Sequence, residues 1–171
     1  SNQKENLIEK LLISSPELFG TITDNPEKYE LQILYTKIDR DENNFPHFTG
    51  YHYRVDKNEY FYPASTIKLP AAVLALEKLN NLNIEGLNKY THLRIDSAYS
   101  NQKPVDKDLT SEDGLPTIAH YIKKLFIVSD NDAHNRLYEF LGQQYFNEGF
   151  WEKGFTDFKM LHRLSVFNSK E

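Results

Sequence analysis

No cysteine occurs among the 171 residues. Disulfides, thiolate metal sites and cysteine nucleophiles are therefore excluded, and cysteine usage says nothing about the redox compartment. No run approaches the roughly 20 apolar residues that a helix needs to cross a bilayer, so no stable membrane span is expected. The opening Ser1-Asn2-Gln3-Lys4-Glu5-Asn6 is polar and lacks the apolar stretch of a signal peptide. The expectation is a mature N-terminus or a trimmed piece. Basic clusters are missing too: 20 Lys and Arg are interspersed with 25 Asp and Glu, for a formal net charge of -5. Without a basic stripe to follow a phosphate backbone, nucleic acid is not an expected partner. Internal repeats and low-complexity tracts are absent as well.

What is present suits one soluble domain: 39% hydrophobic and 26% charged residues in a chain long enough to bury a core. Leu7, Ile8, Leu11 and Leu12 form an apolar stripe that predicts a helix over residues 5–12, broken by Ser14, Ser15 and Pro16. Alternation at Tyr29, Leu31, Ile33 and Tyr35 predicts a strand over 29–36. Tyr51, Tyr53 and Val55 predict a second over 48–55, with the turn at 39–44 making an antiparallel hairpin. The aromatic residues, 11 Tyr and 11 Phe, are expected mainly in the core and sheet. Tyr60-Phe61-Tyr62 is read as a floor of the core, the other reading being a wall beside Ser65.

From residue 65 to 79 the only charges are Lys68, Glu77 and Lys78, which predicts a helix buried on nearly every side. Residues 96–114 form a long irregular segment, a length at which loops are often functional. Thr117 is placed to cap a helix carrying Ile118, Ile122 and Leu125, which runs to Val128. Two more helices, over about 132–141 and 143–153, stop at Gly142 and Gly154. The predicted order is helix, two strands, then helices only, an α/β (α+β) chain with a helical block packed on an antiparallel sheet.

Ser65-Thr66-Ile67-Lys68 opens the buried helix. A serine hydroxyl is a weak nucleophile until a neighbouring base takes its proton. Lys68 at i+3 shares a helix face with Ser65, and apolar surroundings favour its neutral, basic form. The helix N-terminus also favours a developing oxyanion. Alone, the same four residues suit a helix cap with Lys68 reaching solvent better than they suit a catalytic pair. Downstream, Ser129-Asp130-Asn131 follows a helix directly and would bring a second hydroxyl and an amide beside the first pair, although the triplet also suits a simple capping turn.

Tyr62-Pro63-Ala64-Ser65-Thr66-Ile67-Lys68-Leu69-Pro70-Ala71-Ala72, followed by Val128-Ser129-Asp130-Asn131, resembles the class A serine β-lactamases and their penicillin-binding relatives. The resemblance covers most of the chain and implies a β-lactamase/transpeptidase-like fold. Residues 1–171 would be a single partial domain, with helix and strands at about 5–56 and the catalytic helix and helical block at about 65–154. It implies that Ser65 is acylated by a β-lactam or peptidoglycan-like amide, with Lys68 managing its proton and Ser129 relaying one to the leaving nitrogen. Asn131 would hold the substrate's side-chain amide, Asp130 would tie the turn structurally, and the Ser65 N–H would form half of an oxyanion hole. By the same resemblance the location is periplasmic or otherwise extracytoplasmic. No cofactor is implied.

Two parts of that family's pattern are missing. No Lys-[Ser/Thr]-Gly occurs, and the strands that carry it are absent, so the chain is expected to be the N-terminal portion of a longer protein. The missing C-terminal portion is then a partner of this one, completing a two-stranded sheet that is marginal alone. The deacylating carboxylate is missing as well, since residues 158–168 contain no Asp or Glu, and Glu171 is the only later candidate. The expected activity is thus a serine hydrolase forming an acyl-enzyme at Ser65 on β-lactams or related amides and esters, the alternatives being a penicillin-binding sensor or D-Ala-D-Ala peptidase-like domain acylated without fast turnover, and an inactive fold relative.

Metal is not expected. His47, His52, His92, His120, His134 and His162 form no His-x-x-x-His or His-x-His pair. Asp39, Asp41 and Asn43 echo the start of a calcium loop, but Asn44 stands where glycine is needed and Gly50 where a glutamate should be.

Overall fold

The computed structural model describes residues 6–96 and 104–165. The chain divides into two compact units, Ser1–Tyr62 and Pro63–Glu171. It holds six α-helices and a two-stranded antiparallel sheet among the described residues, a mixed α/β architecture.

In the first unit, helix α1 (Leu7–Ile13) starts where the Asn6 side chain accepts the Ile8 N–H, satisfying one of the free donors of the first turn. Ile8 and Leu12 are its buried residues, one turn apart, while Leu11 is exposed. The predicted break at Pro16 is also a beginning. Proline suits the first helical position because its missing N–H is not needed there, and α2 (Pro16–Thr23) opens on it.

Strands β1 (Ile33–Arg40) and β2 (Pro46–Tyr53) pair from Ile33↔Tyr53 to Arg40↔Pro46. The hairpin is real, but β1 is displaced along the chain from its predicted position. Tyr29 and Leu31 belong to a turn instead, closed by the Leu31 N–H on the Pro26 carbonyl at 2.8 Å with Glu30 at φ 49°. The hairpin turn is tighter than predicted because the Asp41 carboxylate accepts the N–H groups of Asn43 and Phe45, both at 2.9 Å, which frees Asp39 and Arg40 for the ladder. Tyr60, Phe61 and Tyr62 are exposed, contrary to the expectation of a core floor.

The second unit begins with a single 3₁₀ turn (Ala64–Ile67) that leads into α3 (Lys68–Leu82), and continues through α4 (Ile118–Val128), α5 (Asn131–Leu141) and α6 (Gln143–Glu152). One core joins them: Ile67, Ala71, Leu74 and Ala75 meet Tyr121 and Leu125 of α4, Leu137 and Leu141 of α5, and Phe146 of α6. The alanines let the helices approach closely, and so does Gly149, where a Cβ would lie 2.8 Å from Leu74 Cδ2. Helix α3 is not buried all round as predicted, because Leu69, Val73 and Leu76 form an exposed stripe. Thr117 caps α4 through the His120 N–H, and Gly142 ends α5 at φ 78°. Part of the predicted irregular segment 96–114 lies outside the described residues, as do Asn168 and Glu171.

Candidate active site

Lys68 is the first residue of α3 and is 2% exposed. Its Nζ lies 3.1 Å from Ser65 Oγ, 2.9 Å from Ser129 Oγ and 2.7 Å from Asn131 Oδ1, and it also meets the Ser129 carbonyl. Ser129 Oγ in turn stands 3.0 Å from Ser65 Oγ. The structure therefore brings three of the predicted residues, Ser65, Ser129 and Asn131, onto the ammonium nitrogen of a fourth, Lys68, with Ser65 on the exposed side.

Local folding explains the convergence. The 3₁₀ turn leaves Ser65 and Lys68 three residues apart on one side of the chain. Ser129 ends α4 in the left-handed region, φ 52° and ψ 42°, and this sharp turn sends Asn131 back toward Lys68. Asp130 does not touch Lys68 Nζ. It caps α5 by accepting the Ala133 N–H at 2.9 Å, and its other oxygen lies 3.2 Å from Lys124 Nζ.

Burial holds the Lys68 ammonium below its ordinary pKa, against the opposing pull of the Asp130 charge. Four acceptors exceed the three protons of an ammonium, but two hydroxyls among them can donate instead. His134, one turn into α5, is fully buried with neither ring nitrogen partnered within the protein. Burial, reinforced by the Lys68 charge, lowers its pKa to about 4.

Several residues around the cluster carry no motif. Asn135 Oδ1 accepts the Leu164 N–H and its Nδ2 donates to the Leu164 carbonyl, both at 2.9 Å. Asn147 grips Met160 in the same two-bonded way, at 2.7 and 3.0 Å. Asn131 Nδ2 donates to the Ser165 carbonyl at 2.7 Å, so its amide links Lys68 to this segment. The one sequence signal for these clasps is polar residues on helix faces that otherwise read as core. Among the described residues no three metal-ligating side chains cluster, and no helix is long and apolar enough to cross a membrane.

A hydroxyl and a buried lysine at i+3, joined by a second hydroxyl and an amide from the turn between two helices, suit the β-lactamase-like class of serine hydrolases. The family model described as the beta-lactamase enzyme family matches residues 22–171, and the chain belongs to that family. No curated protein and no solved structure matches the chain.

Proposed function

We propose that Ser65 is the nucleophile and Lys68 its general base, in a reaction that opens β-lactams or related amides and esters through an acyl-enzyme. The observation that carries this reading is the single position of Lys68 Nζ within hydrogen-bond reach of Ser65, Ser129 and Asn131. As a neutral amine, Lys68 accepts the Ser65 proton on its lone pair while donating to Ser129 and Asn131. Ser65 Oγ forms the new C–O bond at the carbonyl carbon, with the Ser65 N–H stabilising the oxyanion. When the C–N bond breaks, Ser129 passes its proton to the departing nitrogen and takes one from Lys68, which returns to the neutral form. The second N–H of Asn131 Nδ2 is available to the substrate's side-chain amide. By analogy with the family the protein acts outside the cytoplasm, on a small molecule.

A second reading, acylation without fast turnover, is favoured by one feature. Residues 158–165 carry no Asp or Glu, and Asn135 fixes Leu164 beside the segment that Asn131 touches. Water attacking the ester then has no carboxylate from that segment to activate it. Incubation with a fluorescent penicillin separates the possibilities: release of hydrolysed product supports the hydrolase, a stable label supports the held acyl-enzyme, and a protein that neither takes the label nor releases product rejects both. Ser65→Ala is expected to abolish labelling with an unchanged circular dichroism spectrum, since the side chain is exposed. Labelling that persists in Ser65→Ala removes Ser65 from the mechanism.

A further inference from the structure

Lys124 grips the Ser129-Asp130-Asn131 turn twice. Its carbonyl accepts the Ser129 N–H that closes α4, and also the Asp130 N–H at 3.3 Å. These bonds lie where Ser129 adopts the left-handed conformation, which crowds the Cβ of any residue but glycine. Its ammonium, 18% exposed, then lies 3.2 Å from Asp130 Oδ2 and 3.1 Å from Asp108 Oδ2. Asp108 belongs to the irregular segment before α4, where Thr110 donates to it twice and His120 Nε2 stands 3.2 Å from the same oxygen that Lys124 meets. One lysine side chain therefore joins that segment, α4 and the turn that carries Ser129.

The electrostatics give this link a consequence at Lys68. Asp130 favours the charged form of Lys68, whereas a base must be neutral. The titratable groups around Lys68 are Asp130 and His134 at the start of α5; those around Lys124 are Asp130, Asp108 and His120. Burial works against the charges of Lys124, Asp108 and Asp130, yet hydrogen bonds prevail: those from Thr110 to Asp108, that of the Ala133 N–H to Asp130, and after these the bonds of both carboxylates to Lys124. Lys124 is held above its ordinary value, Asp130 below its own, and Asp108 goes down to about 2. All three stay ionised at neutral pH, so Asp130 meets Lys68 as one half of an ion pair and not as a bare anion.

The geometry points to the Lys124 side chain as a positioning group for the Ser65 site, tying Asp130 beside Ser129 to the segment before α4 and offsetting the Asp130 charge so that Lys68 can serve as a neutral base. The assignment rests on the proposed roles of Ser65 and Lys68. A purely structural Lys124 would affect stability alone, whereas this one also sets a pH profile.

The test uses the full chain with Lys124→Met, Lys124→Gln and Lys124→Arg. Two quantities are measured: the pH dependence of labelling by a fluorescent penicillin, and the substrate-free titration of Lys68 followed by NMR of its 13Cε resonance. In the Met and Gln variants the Lys68 midpoint and the acid limb of labelling are expected to move up by about one pH unit, with labelling near neutrality about tenfold slower. Lys124→Arg, which keeps the charge, is expected to restore both. Gln retains a hydrogen-bonding bridge and so guards against a Met variant that fails to fold. A folded neutral variant whose Lys68 midpoint and labelling limb coincide with those of the parent overturns the assignment. A parent that neither takes the label nor releases hydrolysed product overturns the Ser65 reading and the positioning role with it, and a shifted Lys68 midpoint then shows only an electrostatic link between Lys124 and Lys68.

Discussion

The two ends of α3 each carry a lysine removed from water, and they do different things. At the first end Lys68 Nζ meets two hydroxyls and an amide oxygen; at the other, Lys78 Nζ donates to the carbonyls of Phe140 and Leu141 at 2.6 and 3.0 Å. Burial lowers the pKa of both. Lys78 also lies 5.0 and 5.1 Å from the ring centroids of Phe140 and Tyr145, so its neighbours stabilise a cation and have no proton to give. It caps the last carbonyls of α5, a structural task. Of the two, Lys68 has hydroxyls within reach and Lys78 has carbonyls.

The sharpest way to break this contrast is to remove each ammonium in turn. Lys68→Met is expected to slow penicillin labelling by about 10²–10⁴-fold, the usual contribution of a general base. Lys78→Met should leave the labelling rate within about threefold while lowering stability by about 1–3 kcal/mol in urea denaturation, because two carbonyls lose their donor. Equal effects of the two substitutions on labelling would end the distinction.

His134 offers a finer probe, since Lys68 contributes to its lowered pKa. The shift from 6.5 to about 4 means that the unfolded chain binds a proton in this window while the native protein does not. Stability therefore falls as pH drops from 6.5 toward 4 and levels off below, an effect on the order of 3 kcal/mol. His134→Leu should flatten that part of the pH–stability curve. In Lys68→Met the His134 midpoint, read from its ring carbon resonance, should rise, whereas Lys78→Met should leave it in place. Smallest of all, Lys68 itself should be a working base at lower pH than an ordinary lysine, so the acid limb of labelling should lie below 10.5.

The features legible in the sequence were those decided by a few neighbouring residues. Thr117, Asp130 and Gly142 act within one turn of their own positions, and Ser65 and Lys68 are spaced by the backbone. Distance in the chain hid the rest. Lys124 and Asp108 are ordinary surface residues until the chain before α4 folds back, and Asn135 looks like a misplaced polar residue until Leu164 arrives to use both of its amide atoms. The shift of β1 has another cause: Tyr29 and Leu31 alternate like strand residues, and only the bond from Leu31 to Pro26 shows them in a turn. For α3, counting apolar residues overstated burial, because Leu69, Val73 and Leu76 carry no sign of which face they occupy.

With the proton-relay role proposed for Ser129, folding and activity are at odds at this position. Glycine would relieve the crowding of its left-handed backbone, and selection for stability alone would drift toward that residue. The hydroxyl beside Ser65 would be lost with it. A library screened only for heat resistance should thus enrich Ser129→Gly, and the same clones should disappear when survival also depends on the reaction.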